Sequence, residues 1–155
     1  MEKEQNNKQS AELAKLLNEG LRYHREGQLH KAEDIYNRIL EINSRYPDAL
    51  HLSGVIAHQL GDERRAVRFI QNAVAINPGK SAYYSNMGLA LHNLGRFDEA
   101  LTAYRKALEL KPDFAEACYN MGNVFKDSGR NGEAITCYEK ALALKADYAE
   151  PYGTM

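Results

Sequence analysis

Across "SAYYSNMGLALHNLG" (81–95) the apolar residues Tyr84, Met87, Leu91 and Leu94 fall three or four positions apart, with polar residues between them. That spacing predicts a helix with one apolar face. Gly95 stops it, because glycine accepts the left-handed backbone of a helix C-cap without steric cost. The helical period resumes through Ala100, Leu101, Tyr104, Ala107, Leu108 and Leu110, and Pro112 closes the second helix. The stretch predicts a hairpin of two helices, each about four turns long. Neither helix buries its apolar stripe alone, so the hairpin needs neighbours.

The neighbours are in the sequence. Four columns recur at one fixed interval, the length of a hairpin: Gly20, Gly54, Gly88, Gly122; Gly27, Gly61, Gly95, Gly129; Ala32, Ala66, Ala100, Ala134; and Ile39, Ala73, Ala107, Ala141. They divide the chain into a polar segment (1–12), four repeats (13–46, 47–80, 81–114, 115–148) and the start of a fifth (149–155). Gly88 and Ala100 are expected where the two helices cross, so that their backbones approach. Asn131-Gly132 stands where the third repeat has Phe97-Asp98, which predicts a looser turn in the last hairpin. Ala146 stands where a proline is expected.

Composition narrows the chemistry. Twenty Lys and Arg are balanced by 21 Asp and Glu, which removes the electrostatic argument for nucleic acid or an anionic membrane as partner. No apolar run has the length of a membrane span. Two cysteines, Cys118 and Cys137, form neither a disulfide framework nor a zinc spacing and read as small thiols in a reducing cytoplasm. No nucleophile motif or phosphate loop is present; "GRNGE" (129–133) lacks the lysine and the preceding strand. The chain reads as a non-enzyme without cofactor or metal.

The columns match the tetratricopeptide repeat signature: Gly88, Leu91, Gly95, Ala100, Tyr104, Ala107 and Pro112 in one repeat, and Gly122, Phe125, Gly129, Ala134, Tyr138 and Ala141 in the next. The chain resembles that family over residues 13–148. The resemblance implies an all-α, right-handed superhelical solenoid of antiparallel hairpins, with the first helix of each hairpin lining a concave groove. The stretch 48–67 is also similar to arrays that precede a glycosyltransferase domain of the O-GlcNAc transferase kind or a sulfotransferase domain. The carboxylate clamp of chaperone-binding members is not matched: Leu17, Leu21, Ala82 and Asn86 occupy its columns.

At 100° per residue, Asn18, Leu52, Asn86 and Asn120 lie about 160° from the contact within the repeat, on the groove side. Carboxamides accept from a peptide N–H and donate to a peptide C=O. In arrays similar to O-GlcNAc transferase such a row holds an extended peptide, which Asn18, Asn86 and Asn120 match and Leu52 interrupts. Solvated amides, or amides capping the next repeat, are the other reading, and the sequence leaves both open. Leu21, Val55, Leu89 and Asn123 lie about 100° round; Leu17, His51, Ser85 and Tyr119 lie at about 60°; both columns are expected to face the groove. His24, His58, His92 and Lys126 recur at its rim. No cysteine or carboxylate recurs beside the histidines, and helices packed about 8–10 Å apart do not bring two rings onto one zinc. These rings are expected to pack between helices.

The expected site is therefore a groove of Asn18, Asn86, Asn120, Asn123, His51, Tyr119 and Lys126, rimmed by His24, His58 and His92. The expected partner is a protein or extended peptide. A second reading is a scaffold that oligomerises through its ends, as in family members that coat a bacterial organelle. Ile135, Tyr138 and Leu142 in the last hairpin are expected to lack a covering neighbour.

Overall fold

The structure is a computed structural model that describes the backbone of residues 1–153 and the side chains of residues 1–146. The described residues form eight α-helices in two compact units, Met1–Ile76 and Asn77–Met155. The first unit holds α1 (Glu2–Arg25), α2 (Leu29–Ile42), α3 (Pro47–Gln59) and α4 (Glu63–Ile76). The second holds α5 (Ser81–Asn93), α6 (Phe97–Leu110), α7 (Ala115–Asp127) and α8 (Asn131–Gly153). Inside each unit consecutive helices pack together, and α7 also reaches α5.

All four hairpins close alike. Gly27, Gly61, Gly95 and Gly129 have φ between +76° and +87°, a region that only glycine enters freely. Each turn carries the same pair of bonds: in the third hairpin, Gly95 N–H donates to His92 O (2.9 Å) and Arg96 N–H to Leu91 O (2.9 Å). The pair satisfies carbonyls that a helix end leaves open. The last hairpin does not have the looser turn expected of Asn131-Gly132. Arg130 N–H reaches Phe125 O at 2.8 Å, and Arg130 pairs with Glu133 at 2.7 Å as Arg96 pairs with Glu99 at 2.6 Å. The turn is set by Gly129 and the backbone, so the two residues that open α8 are free to vary.

The glycine of each first helix is small for a more specific reason than a backbone crossing. A Cβ on Gly20 would lie 2.5 Å from the Tyr36 ring, one on Gly88 2.8 Å from Tyr104, and one on Gly122 2.7 Å from Tyr138. Tyr36, Tyr104 and Tyr138 hold the same position in their repeats, and each lays its ring on the facing glycine. Ile70 takes this place in the second hairpin; there Ala66 O also comes within 3.0 Å of the position a Cβ would take on Gly54. The alanine column lies buried beneath.

In the first unit Leu13, Ala32, Ile35, Tyr36 and Ile39 form a core with Ala49 and Ile56 of α3. Each such burial is worth about 1.5–3 kcal/mol for a large aliphatic side chain. In the second unit Tyr83, Leu91, Leu101, Tyr104, Val124 and Phe125 are buried.

Both ends of the chain depart from the expected boundaries. Residues 2–12 are helical, as the start of α1. At the other end α8 continues without a turn to Gly153. Pro78 and Pro112 follow the ends of α4 and α6, whereas Ala146 removes no backbone donor and lets the helix run on. Residues 154 and 155 of the expected fifth repeat lie outside the described residues.

Candidate functional site

The expected groove residues separate into three environments. Asn18 on α1 is exposed; Asn86 on α5 and Asn120 on α7 are half-buried on neighbouring helices of the second unit. The column of Leu17, His51, Ser85 and Tyr119 is half-buried or buried in its first three members and exposed only at Tyr119. Leu17 packs on the first unit's core, and His51 and Ser85 are only 9% and 5% exposed. His51, expected at the groove, therefore presents little surface to a ligand. A position so close to the helix contact sits on the flank that a neighbour covers. Leu52, which interrupts the asparagine column, also packs on the core.

Three of the expected residues come together at the end of the second unit. Tyr119, Asn123 and Lys126 of α7 line an open pocket of about 420 Å³ with Tyr138, Ala141, Leu142 and Lys145 of α8. Its floor is aromatic: the Tyr119 and Tyr138 rings are tilted 48° to each other with centroids 5.5 Å apart. Tyr138 donates its hydroxyl proton to Asn123 Oδ1 at 2.5 Å, leaving the Asn123 amide N–H groups to donate elsewhere. Both charges at the pocket are positive, and none of its lining residues is acidic. Tyr119 and Leu142 are 51% and 67% exposed, and Ile135 nearby in sequence on α8 is 55% exposed. A surface that is apolar, aromatic and rimmed by ammonium groups suits a ligand combining apolar side chains with a carboxylate.

The histidines join successive hairpins. His24 Nε2–H donates to Gln59 Oε1 (2.7 Å), which leaves Nδ1 to accept from the Tyr36 hydroxyl (3.2 Å). His92 Nε2–H donates to Asp127 Oδ2 (2.7 Å) and its ring meets the edge of Phe97. Gln59 and Asp127 are the last residues of α3 and α7, so each histidine bonds to the end of the next first helix. His58 turns instead to Glu63 at 2.9 Å. These bonds agree with the expectation of rings packed between helices. Among the described residues no group of three or more His, Cys, Asp or Glu is placed to hold a metal ion.

Sequence reading missed two things here. Lys145 and Ala141 were not assigned to the site, because their repeat counterparts Lys111 and Ala107 read as a helix end and a core position. The histidine clasp was missed although its signal was available: the column of Gln59, Asn93 and Asp127, which ends these first helices, is polar throughout.

Burial raises the thiol pKa of both Cys118 and Cys137, and neither is poised as a thiolate nucleophile. Burial likewise pushes the Tyr36 phenol up to about 12 and Tyr104 higher still. No helix among the described residues is long and apolar enough to cross a membrane.

Known proteins share this fold. Residues 47–80 match the tetratricopeptide repeat family, and residues 91–129 and 122–152 match a further TPR repeat family. The chain belongs to the tetratricopeptide repeat family, and its fold is that of a TPR solenoid. Among solved structures it is similar to MamA, with a TM-score of 0.81 and 25% identity, over 89% of this chain and 81% of that one. MamA 41-end from Desulfovibrio magneticus RS-1 superposes with a TM-score of 0.79 at 18% identity, over 87% and 76% of the two chains. YrrB, described as a TPR protein with an unusual peptide-binding site, gives 0.76 at 24% identity, over 89% and 71%. Among curated protein sequences none matches this chain.

Proposed function

We propose that this chain is a protein-binding module that recruits segments of other proteins. The observation that carries the reading is the convergence of Tyr119, Asn123 and Lys126 in one open, aromatic-floored pocket. The asparagines of α5 and α7 extend it: Asn86 and Asn120 supply carboxamides along the same two first helices, suited to the backbone of an extended peptide. The similarity in fold to YrrB, whose description names a peptide-binding site, supports the reading. Its finer form, an array that delivers substrates to a glycosyltransferase or sulfotransferase domain, rests on the sequence resemblance alone.

The second reading is self-assembly through the ends of the array. The uncovered Ile135 and Leu142 favour it, since exposed apolar patches mark interaction surfaces.

A peptide pool selected against the 155-residue chain tests the first reading. Tyr119→Ala and the double variant Asn86→Ala/Asn120→Ala are expected to weaken selected peptides by about tenfold while the chain stays folded. A large loss of stability with binding retained would make the asparagines structural, and a pool that yields no binder would remove the reading.

A further inference from the structure

From an exchange of charges at the start of α4 we infer a second binding surface, on the first unit, that takes a short acidic segment of another protein. It goes beyond the proposed function, since no residue of α4 lines the Tyr119 pocket.

Both hairpins of the second unit neutralise the opening turn of their second helix. Arg96 pairs with Glu99 at 2.6 Å and Arg130 with Glu133 at 2.7 Å. At α4 the order is reversed: Asp62 stands where Arg96 and Arg130 do, and Arg65 where Glu99 and Glu133 do. Asp62 is engaged by the backbone, its Oδ1 accepting from Arg65 N–H at 3.2 Å, as an N-cap does. The Arg65 guanidinium lies instead over the Phe69 ring, 5.4 Å from its centroid. Arg68 follows on the next turn, where α6 and α8 have Thr102 and Thr136. Among the described residues no carboxylate pairs with Arg65 or Arg68.

Phe69 is the second departure. Ile35, Ala103 and Cys137 hold its position in the other hairpins, and all three are buried; Phe69 is half-buried. With the exposed Arg65, Arg68 and Asn72 it lines an open recess of about 160 Å³, turned away from Ala66 and Ile70, which pack on Gly54 of α3. No acid is among the residues that line it.

Each guanidinium presents a planar fork of donors that matches a carboxylate. Asn72 adds an amide donor, and the Phe69 ring adds apolar area. Exposed ion pairs are weak one at a time, so a ligand must engage several of these groups together. An extended segment places alternate side chains on one face about 6.6 Å apart, and residues three apart on a helix rise about 4.5 Å, so two carboxylates reach Arg65 and Arg68 at once. A long polyanion suits the surface less well. The chain carries 21 Asp and Glu against 20 Lys and Arg, so a nucleic acid or an anionic bilayer meets carboxylates as soon as it extends past the recess.

The test uses the 155-residue chain and two fluorescein-labelled heptapeptides at low ionic strength, where exposed charges are screened least. One is Glu-Glu-Glu-Leu-Glu-Glu-Glu; the other has lysine for every glutamate. The glutamate probe is expected to bind with a Kd of about 100 μM, and the lysine probe not to bind. Arg65→Glu/Arg68→Glu is expected to weaken the glutamate probe by at least about tenfold and to admit the lysine probe. Phe69→Leu is expected to weaken the glutamate probe about threefold. In the unsubstituted chain the probe should move the chemical shifts of Arg65, Phe69 and Asn72. No binding of the glutamate probe up to about 1 mM, equal binding of the two probes, binding indifferent to Arg65→Glu/Arg68→Glu, or shifts confined to other helices overturns the inference. Binding to phosphatidylserine vesicles in place of the probe, abolished by the double variant, overturns it too and assigns the arginines to a lipid surface. Self-association in sedimentation that the double variant abolishes and the probe does not compete with overturns it in favour of a second copy.

Discussion

The α5/α6 and α7/α8 hairpins share one repeat frame, one glycine turn and one ring-on-glycine contact, yet among the described residues only the first is covered by a following helix. Leu101 is interior and Ile135 is at the surface; Ser85 is buried and Tyr119 is exposed. The difference shows that in this repeat the flank of the first helix and the face of the second belong to the following hairpin. At the α7/α8 pocket tyrosine stands for Ser85, asparagine for Leu89 and lysine for His92.

The two faces are expected to respond differently to truncation. Leu101→Ala should cost about 2–5 kcal/mol in urea unfolding, through lost burial and a residual cavity. Ile135→Ala should stay within about 0.5 kcal/mol. Equal losses would mean that Ile135 is covered in the folded protein and would end the contrast.

Glycine and alanine positions come next in size. Gly88→Val and Ala100→Leu should each cost about 1–3 kcal/mol by overpacking, the first because its Cβ lies 2.8 Å from the Tyr104 ring. A thermal melt unchanged by Gly88→Val would show that the ring moves aside at little cost.

Smaller effects separate the two tyrosine hydroxyls. The buried Tyr104 hydroxyl has no hydrogen-bond partner among the described residues. Tyr104→Phe should be neutral or stabilising by about 1 kcal/mol, whereas Tyr138→Phe loses the Asn123 bond and should cost about 1 kcal/mol. Burial also gives the covered tyrosines a pH signature. The Tyr36 phenol lies at about 12 against an ordinary 10.0, so the folded state holds its proton more tightly than the unfolded state. Its contribution is intact below pH 10.0 and is lost as pH rises toward about 12. Tyr36→Phe should flatten the alkaline limb of the stability profile in that window, and an unchanged limb would show that the ring is not buried in solution.

Much of this was legible in the sequence because the repeat makes four independent statements of the same rule. Gly95 and its equivalents gave the turns, and the recurring glycine and alanine columns gave the hairpins. The reading failed where single-helix geometry was asked about neighbours. His51 was expected to face the groove, and its 9% exposure could not be foreseen, because a helical wheel carries no information about the helix packed beside it. The run of α8 past residue 148 was obscured by the assumption that the fourth repeat must end as the others do, although Ala146 had already removed the proline that ends them. The pocket was half legible. Tyr119, Asn123 and Lys126 were found as periodic departures, while Lys145 carried no signal until α8 set it beside them.

Chemical-shift mapping of the 155-residue chain with a peptide selected from the pool tests the central contrast most directly. Shifts should concentrate at Tyr119, Asn123, Lys126, Tyr138 and Leu142, with Ser85, Leu101 and Leu108 unmoved. Shifts at these last three, or spread evenly over all eight helices, would contradict the assignment of the α7/α8 face as the docking surface.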